Sequence, residues 1–349
     1  MHISRIHPLF LAAAAMLIAG CAGTQATTGI PSAGASVPSA LRLPLADVQF
    51  VTLDYTSTSG ETLPTFLTGI RGDNIVGMYM NADQRQYGFI YHPSTQQFVA
   101  LDYPGAYNTT PYGPSFGANG SLRAVGSYTL PNEKSDHGFF YDGSQPKSRQ
   151  FVTIDYASAT NTIPHSTYRN FIAGNWNKLK RGSQDYKNYP ASGHGFIYNL
   201  KTQTYQAFDV PNAKSTTCYG IIDGVIAGGY TMPRGTHVVH AYVYDRSTGV
   251  LYTYDHAGAV LTHFDGVAIA GRRGDYSLTG DWIGLDGTLH AFYIAMKNWQ
   301  YQRPVKIAYA NETTSANSVY TQGGVTQVIG VYNTGGGVAG TNGYIATIR

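Results

Sequence analysis

Acids and imidazoles recur through this chain at fixed places. Asp54, Asp102, Asp155, Asp209 and Asp255 each end a short phrase: Phe50-Val-Thr-Leu-Asp54, Phe98-Val-Ala-Leu-Asp102, Phe151-Val-Thr-Ile-Asp155, Tyr205-Gln-Ala-Phe-Asp209 and Leu251-Tyr-Thr-Tyr-Asp255. His137, His194, His240 and His290 each open another, as in His137-Gly-Phe-Phe-Tyr141 and His290-Ala-Phe-Tyr-Ile294. Carboxylates and imidazoles do general acid–base work and ligate metals. Their recurrence argues for a structural job instead. A group present in every repeat most economically does one local thing: an Asp oxygen accepts a turn N–H in an Asx-type turn. The His is expected to bond a neighbouring repeat's backbone and pack its ring. Zinc ligands converge at about 2 Å on one centre, whereas equivalent positions of a ring stand apart. Neither His-Glu-x-x-His nor paired Cys-x-x-Cys occurs, so no metal and no cofactor are expected.

Two further patterns bear on nucleophilic chemistry. Gly113-Pro-Ser115-Phe-Gly117 matches the nucleophile-elbow spacing, but that motif needs a strand-to-helix turn and no helical pattern follows. Cys218, in Thr216-Thr-Cys-Tyr-Gly220, sits where other repeats place small residues and reads as a buried apolar group. With no catalytic constellation above background, an enzyme is not the leading expectation.

The elements that position these residues are strands. A second phrase runs through Gly to an aromatic: Ile75-Val-Gly-Met-Tyr79, Ala124-Val-Gly-Ser-Tyr128, Ile172-Ala-Gly-Asn-Trp176, Ile226-Ala-Gly-Gly-Tyr230 and Val328-Ile-Gly-Val-Tyr332, with a diverged Ser277-Leu-Thr-Gly-Asp281-Trp282. The phrases are rich in β-branched and aromatic residues and bounded by turn formers such as Asp245-Arg-Ser-Thr-Gly249, the pattern of antiparallel hairpins. A repeat of about fifty residues with about four strands has the size of a propeller blade. The first phrase begins at Phe50 and the last Gly-Tyr strand ends at Ile348, and these two phrases are consecutive partners inside the chain. The fold predicted over residues 47–349 is therefore an all-β, six-bladed β-propeller with Velcro closure of the N-terminal strand onto the last blade.

These phrases resemble the bacterial family of extracellular repeats named for its His-Ala-Phe tripeptide. The resemblance falls on His290-Ala-Phe292, on His240-Ala-Tyr242, and on His137-Gly-Phe139 and His194-Gly-Phe196 with Gly for Ala; Tyr87 and Asn342 replace the His in the first and last copies. It implies the fold and an extracellular location, and no common activity.

Composition and the N-terminus indicate an address. Lys+Arg 23 against Asp+Glu 20 gives +3 without a basic block, which argues against nucleic acid as partner. After Arg5, an apolar run from Pro8 to Ala19 is too short for a permanent span and reads as a secretory signal. Leu17-Ile18-Ala19-Gly20-Cys21 resembles the lipobox of bacterial lipoproteins. By that resemblance residues 1–20 are removed, Cys21 carries the acyl chains, palmitate among them, and Ala22 directs the protein to the cell outer membrane. Residues 21–46 are rich in Ser, Thr, Ala, Gly and Pro, a flexible tether. The membrane is thus a partner through the lipid anchor.

Recognition is expected where the repeat is interrupted. The third repeat inserts a segment with Lys178, Lys180, Arg181 and Tyr186, and the fifth diverges at Arg272, Arg273 and Asp275, with Trp282 beside Asp281. Projecting from one face, these residues would form a basic–aromatic rim for an acidic protein or an anionic glycan. The leading expectation is a binding or scaffolding module. The alternatives are a propeller enzyme acting on polysaccharide or a lactone, whose acids should break the repeat as Asp275 and Asp281 do, and an immunity-type inhibitor of an exported toxin.

Overall fold

A computed structural model describes residues 47–179, 193–232, 239–309 and 312–349. Among them the regular elements are strands and two short 3-10 turns, Lys147–Arg149 and Gly337–Gly340. The strands form antiparallel meanders. In the first unit Thr65–Arg71 pairs with Asn74–Met80, which pairs with Gln86–His92, which pairs with Gln97–Ala100. The inner strands of the following units are Asn108–Phe116, Asn161–Tyr168, Ser215–Ile222, Ala259–Ile269 and Thr313–Gln322. Each packs against the next unit, and the last packs against Thr65–Arg71 of the first.

The last meander takes its outer strand from the other end of the chain. Val48–Thr52 lies antiparallel on Thr341–Ile348, with Val48 opposite Ile348 and Thr52 opposite Tyr344. Beyond it, Leu53 N–H donates to Gly343 O at 2.9 Å and Gly343 N–H donates to Asp54 Oδ1 at 2.9 Å. Leu101 and Asp102 make the same two bonds with Gly88 in the first unit.

Side-chain size explains the recurring glycine of the second phrase. A Cβ at Gly126 would stand 2.3 Å from Thr110 O and 2.6 Å from the Phe139 ring. The aromatic of the third phrase lies across this bare backbone, and Phe89, Phe139, Phe196, Tyr242, Phe292 and Tyr344 are all buried. Between units, apolar faces interlock: Val125, Phe140 and Ile154 of the second meet Ile172 and Phe196 of the third. Each such side chain contributes about 1.5–3 kcal/mol of burial.

Five inner strands break register directly after the pair that holds the recurring glycine, between Leu67 and Gly69, Pro164 and Ser166, Cys218 and Gly220, Phe264 and Gly266, and Ala316 and Ser318, and Asn108–Phe116 breaks one pair later, between Tyr112 and Ser115. A bulge adds a residue and re-aims its side chain. The extra residues Thr68, Pro114, His165, Tyr219, Asp265 and Asn317 line a shared central cavity of about 40 Å³. Small neighbours let the strands converge there; a Cβ on Gly69 would meet Gly113 N at 2.7 Å. Asn317 Nδ2 donates to Leu67 O at 2.7 Å, linking the last inner strand to the first.

Candidate functional site

The repeated acids and imidazoles bind one another. Asp155 Oδ2 lies 2.7 Å from His137 Nδ1 while its Oδ1 accepts Gly138 N–H at 2.9 Å. Asp209 does the same for His194 at 3.0 Å and Gly195 at 3.4 Å, and Asp255 Oδ1 meets His240 Nδ1 at 2.9 Å. This corrects the Asx-turn reading: the Asp following an outer strand bonds across to the start of the strand beside it. The His bonds that Asp, not the backbone of a neighbouring unit. Burial opposes protonation of His137, yet Asp155 and Glu133 hold its pKa above the ordinary value. The fifth unit lacks the acid. Its outer segment Val305–Ile307 runs into Ala308, and burial with nearby Lys306 lowers the pKa of His290.

Each imidazole also stacks on the aromatic of the second phrase. Ring centroids are 5.2 Å apart for Tyr128–His137, 4.9 Å for Trp176–His194 and 4.1 Å for Trp282–His290. The opposite ring face is covered by Tyr103 on Tyr128 at 3.7 Å, Tyr156 on Trp176 at 4.5 Å and His256 on Trp282 at 4.3 Å. The stacks stand at the end of the sheets where second strands turn into third strands.

The proposed rim divides between the two ends. Lys178 follows the strand Phe171–Asn177, is exposed, and shares the stacked end with Trp282. Arg272, Arg273 and Asp275 lie in the hairpin between Ala259–Ile269 and Tyr276–Gly284, which opens at the opposite end. One shared rim is therefore not formed by these groups. Arg273 instead bonds Asp245 and Ser247 and lies over Trp299 at 5.9 Å. Arg272 Nε is 3.8 Å from Asp275, whose Oδ1 accepts Asn298 N–H at 2.7 Å. Lys180, Arg181, Tyr186 and Cys21 lie outside the described residues.

The nucleophile candidates are enclosed. Ser115 is buried within the strand Asn108–Phe116, not on a strand-to-helix turn. Cys218 is fully buried with Sγ 3.4 Å from Tyr242 Oη, and burial pushes its thiol up to about 12.

A cluster that sequence reasoning missed lies beside the axis. His263 pairs directly across the sheet with Asp281, and Asp265 is the bulge residue two positions on. One donor atom from each lies within 4.8 Å of the others. The expectation of no convergence considered equivalent repeat positions; these three are not equivalent, and the bulge that turns Asp265 toward the axis leaves no mark in the alternation of residues. Burial raises the pKa of Asp281, with the nearby Asp265 adding to the rise. The His263 imidazole has its pKa lifted by Asp265 and Asp281 despite burial.

No family model matches the sequence, and no curated protein sequence matches it. Solved structures do match. Trypanosoma rangeli sialidase in complex with the inhibitor DANA aligns with TM-score 0.50 at 9% identity, over 87% of this chain and 60% of that one. The chain is a β-propeller. Also similar are the subtype N10 neuraminidase-like protein of A/little yellow-shouldered bat/Guatemala/060/2010 (8% identity, 87% of this chain and 100% of that one, TM-score 0.44) and a mutant of AofleA from Arthrobotrys oligospora (11%, 83% and 84%, TM-score 0.45). At these identities the likeness of the propeller is one of fold. Among the described residues no helix is long and apolar enough to cross a membrane.

Proposed function

We propose that this chain is an outer-membrane lipoprotein whose six-bladed propeller binds a protein or glycan partner through the end carrying the Asp–His–aromatic stacks. The observation that carries the binding reading is the repetition of half-exposed stacks at one end of successive units. The His194 and Asp209 side chains are 42% and 40% exposed there. Imidazole and carboxylate edges give hydrogen bonds to backbone or hydroxyl groups, and aromatic edges give apolar contact. Leu285, 89% exposed at the tip of the hairpin that follows Trp282, adds an apolar anchor at that end. Lys178 and the basic sequence after it support an acidic protein surface or an anionic glycan. The anchor rests on the sequence Leu17–Cys21 and the tether that follows.

Binding of the full chain to an array of acidic and neutral glycans, repeated with Trp282→Ala and Arg272→Ala, tests the assignment of the face. Loss of about tenfold or more with Trp282→Ala alone is expected; loss with Arg272→Ala alone places the contact at the other end and sinks the reading. Palmitate labelling that persists in Cys21→Ser would refute the anchor. The enzyme alternative draws on Asp281 and Asp265, two acids near the axis. The central cavity that Asp265 lines has a volume of about 40 Å³, room for a few waters.

A further inference from the structure

Across the sheets, the residue pair one step before the pair that holds the recurring glycine is Phe66 with Met78, Thr110 with Ser127, Ile163 with Asn175, Thr217 with Gly229, and Ser315 with Val331. In the fifth unit alone among the described residues this pair is ionisable, His263 with Asp281, and the bulge adds a second carboxylate, Asp265. His263 is 5% exposed and Asp281 1%, and the Asp265 side chain is 9% exposed. Two carboxylates and one imidazole buried together are kept from carrying surplus charge either by a proton on one carboxylate or by a bound cation that takes that proton's place.

We propose that His263, Asp265 and Asp281 hold one divalent transition-metal cation of the zinc type, with His263 Nε2, Asp265 Oδ2 and an Asp281 carboxylate oxygen as ligands.

Three observations carry this beyond an acidic cluster. First, His263 Nε2 and Asp265 Oδ2 lie 2.9 Å apart as an ion pair, and neither buried atom has a hydrogen bond beyond that contact. Two donors about 2.1 Å from one ion stand about 3.0–3.4 Å apart, so this pair needs to open by only a few tenths of an ångström. Second, the charge of Asp281 has no structural use. Its Oδ1 accepts Ala316 N–H at 2.9 Å, linking the fifth unit to the sixth, and Asn175 performs the same task for Cys218 N–H at 2.7 Å between the third and fourth. An amide suffices for that bond, whereas a metal needs the carboxylate. Third, Asp265 lines the central cavity, which gives an ion a route to the site and room for water to complete its coordination. Mixed imidazole and carboxylate donors suit zinc better than calcium or magnesium, which favour all-oxygen sites. The ion would staple the inner strand Ala259–Ile269 to Tyr276–Gly284 and, through Asp281, to the sixth unit.

The test is calorimetric titration of the chelator-treated full chain with zinc chloride, with melting temperature followed in parallel. One tight equivalent and a rise of several degrees are expected. Asp281→Asn keeps the bond to Ala316, so its metal-free melting temperature should match or exceed that of the parent while zinc affinity falls by more than about 100-fold. His263→Gln should lose affinity equally, and His194→Gln, at a surface imidazole, should not. No saturable equivalent, or unchanged affinity in Asp281→Asn and His263→Gln, overturns the proposal. Should either variant fail to fold, cobalt(II) added to the parent chain decides: a visible absorption band displaced stoichiometrically by zinc supports the site, and its absence refutes it.

Discussion

The Asp54 carboxylate and the Gly343 backbone N–H, 289 positions apart in the chain, meet at 2.9 Å. The same bond joins Asp102 to Gly88 and Asp155 to Gly138 at 2.8 and 2.9 Å, within units whose strands are close in sequence. The two chain ends thus share a sheet through the bond that the interior repeats use. Removing it should cost as much at the seam as inside: Asp54→Ala and Asp102→Ala should each lower unfolding free energy by about 1–3 kcal/mol in urea titrations. A neutral Asp54→Ala would mean that this bond does not help hold the seam.

The second-phrase glycines should tolerate no side chain. Gly126→Ala puts a methyl against Thr110 O and the Phe139 ring, and should destabilise by about 2–3 kcal/mol. Gly105, with open space at its Cβ position but φ +78°, should lose less, through backbone strain alone. Chemical denaturation of the pair ranks them, and equal losses would contradict this packing.

Asp245 links the Arg273 hairpin to the end of the strand Val239–Asp245. Burial alone would raise its pKa; bonds from Arg273, Ser247 and Thr248 overcome this and bring it to about 2. A depressed folded pKa contributes stability that is present above the unfolded value of about 3.9 and disappears as pH falls through about 2. The parent should therefore lose stability between those limits. Arg273→Ala should lose less over the same window, because part of the depression is already gone. Melting temperatures measured from pH 5 to 2 compare the two chains.

His137 titrates with the opposite sign. Although burial disfavours its charge, Asp155 and Glu133 raise its folded pKa, so its contribution is complete below the ordinary value near 6.5 and fades as pH rises through the raised one. Asp155→Asn should bring the imidazole titration down, read by NMR from its ring protons. An unchanged midpoint would show that the pair does not exist in solution.

Cys218 should be inert while the chain is folded. Its thiol is fully buried and its pKa is pushed to about 12, so in Cys21→Ser protein a thiol reagent should react only on unfolding.

The sequence by itself determined the strands and their kinship. Short β-branched and aromatic phrases such as Phe151-Val-Thr-Ile-Asp155, and the Gly that bares the backbone for Phe139, are local signals of a repeated antiparallel sheet, and the matching phrases at Phe50 and Ile348 announced how the ends pair. It also supplied the burial of Cys218, since a small residue in a repeated strand position has one common use. What the repeated Asp and His do was decided only in three dimensions, because a turn bond and a cross-strand bond demand the same residue and differ in where the partner strand lies. Tertiary structure likewise separated Arg273 from Lys178: hairpins alternate ends along a meander, and proximity in a list of interruptions does not record which end each one takes. The axial cluster was the least legible. A bulge carries no period of its own, and His263, Asp265 and Asp281 become neighbours only when strand register and the extra residue are fixed together.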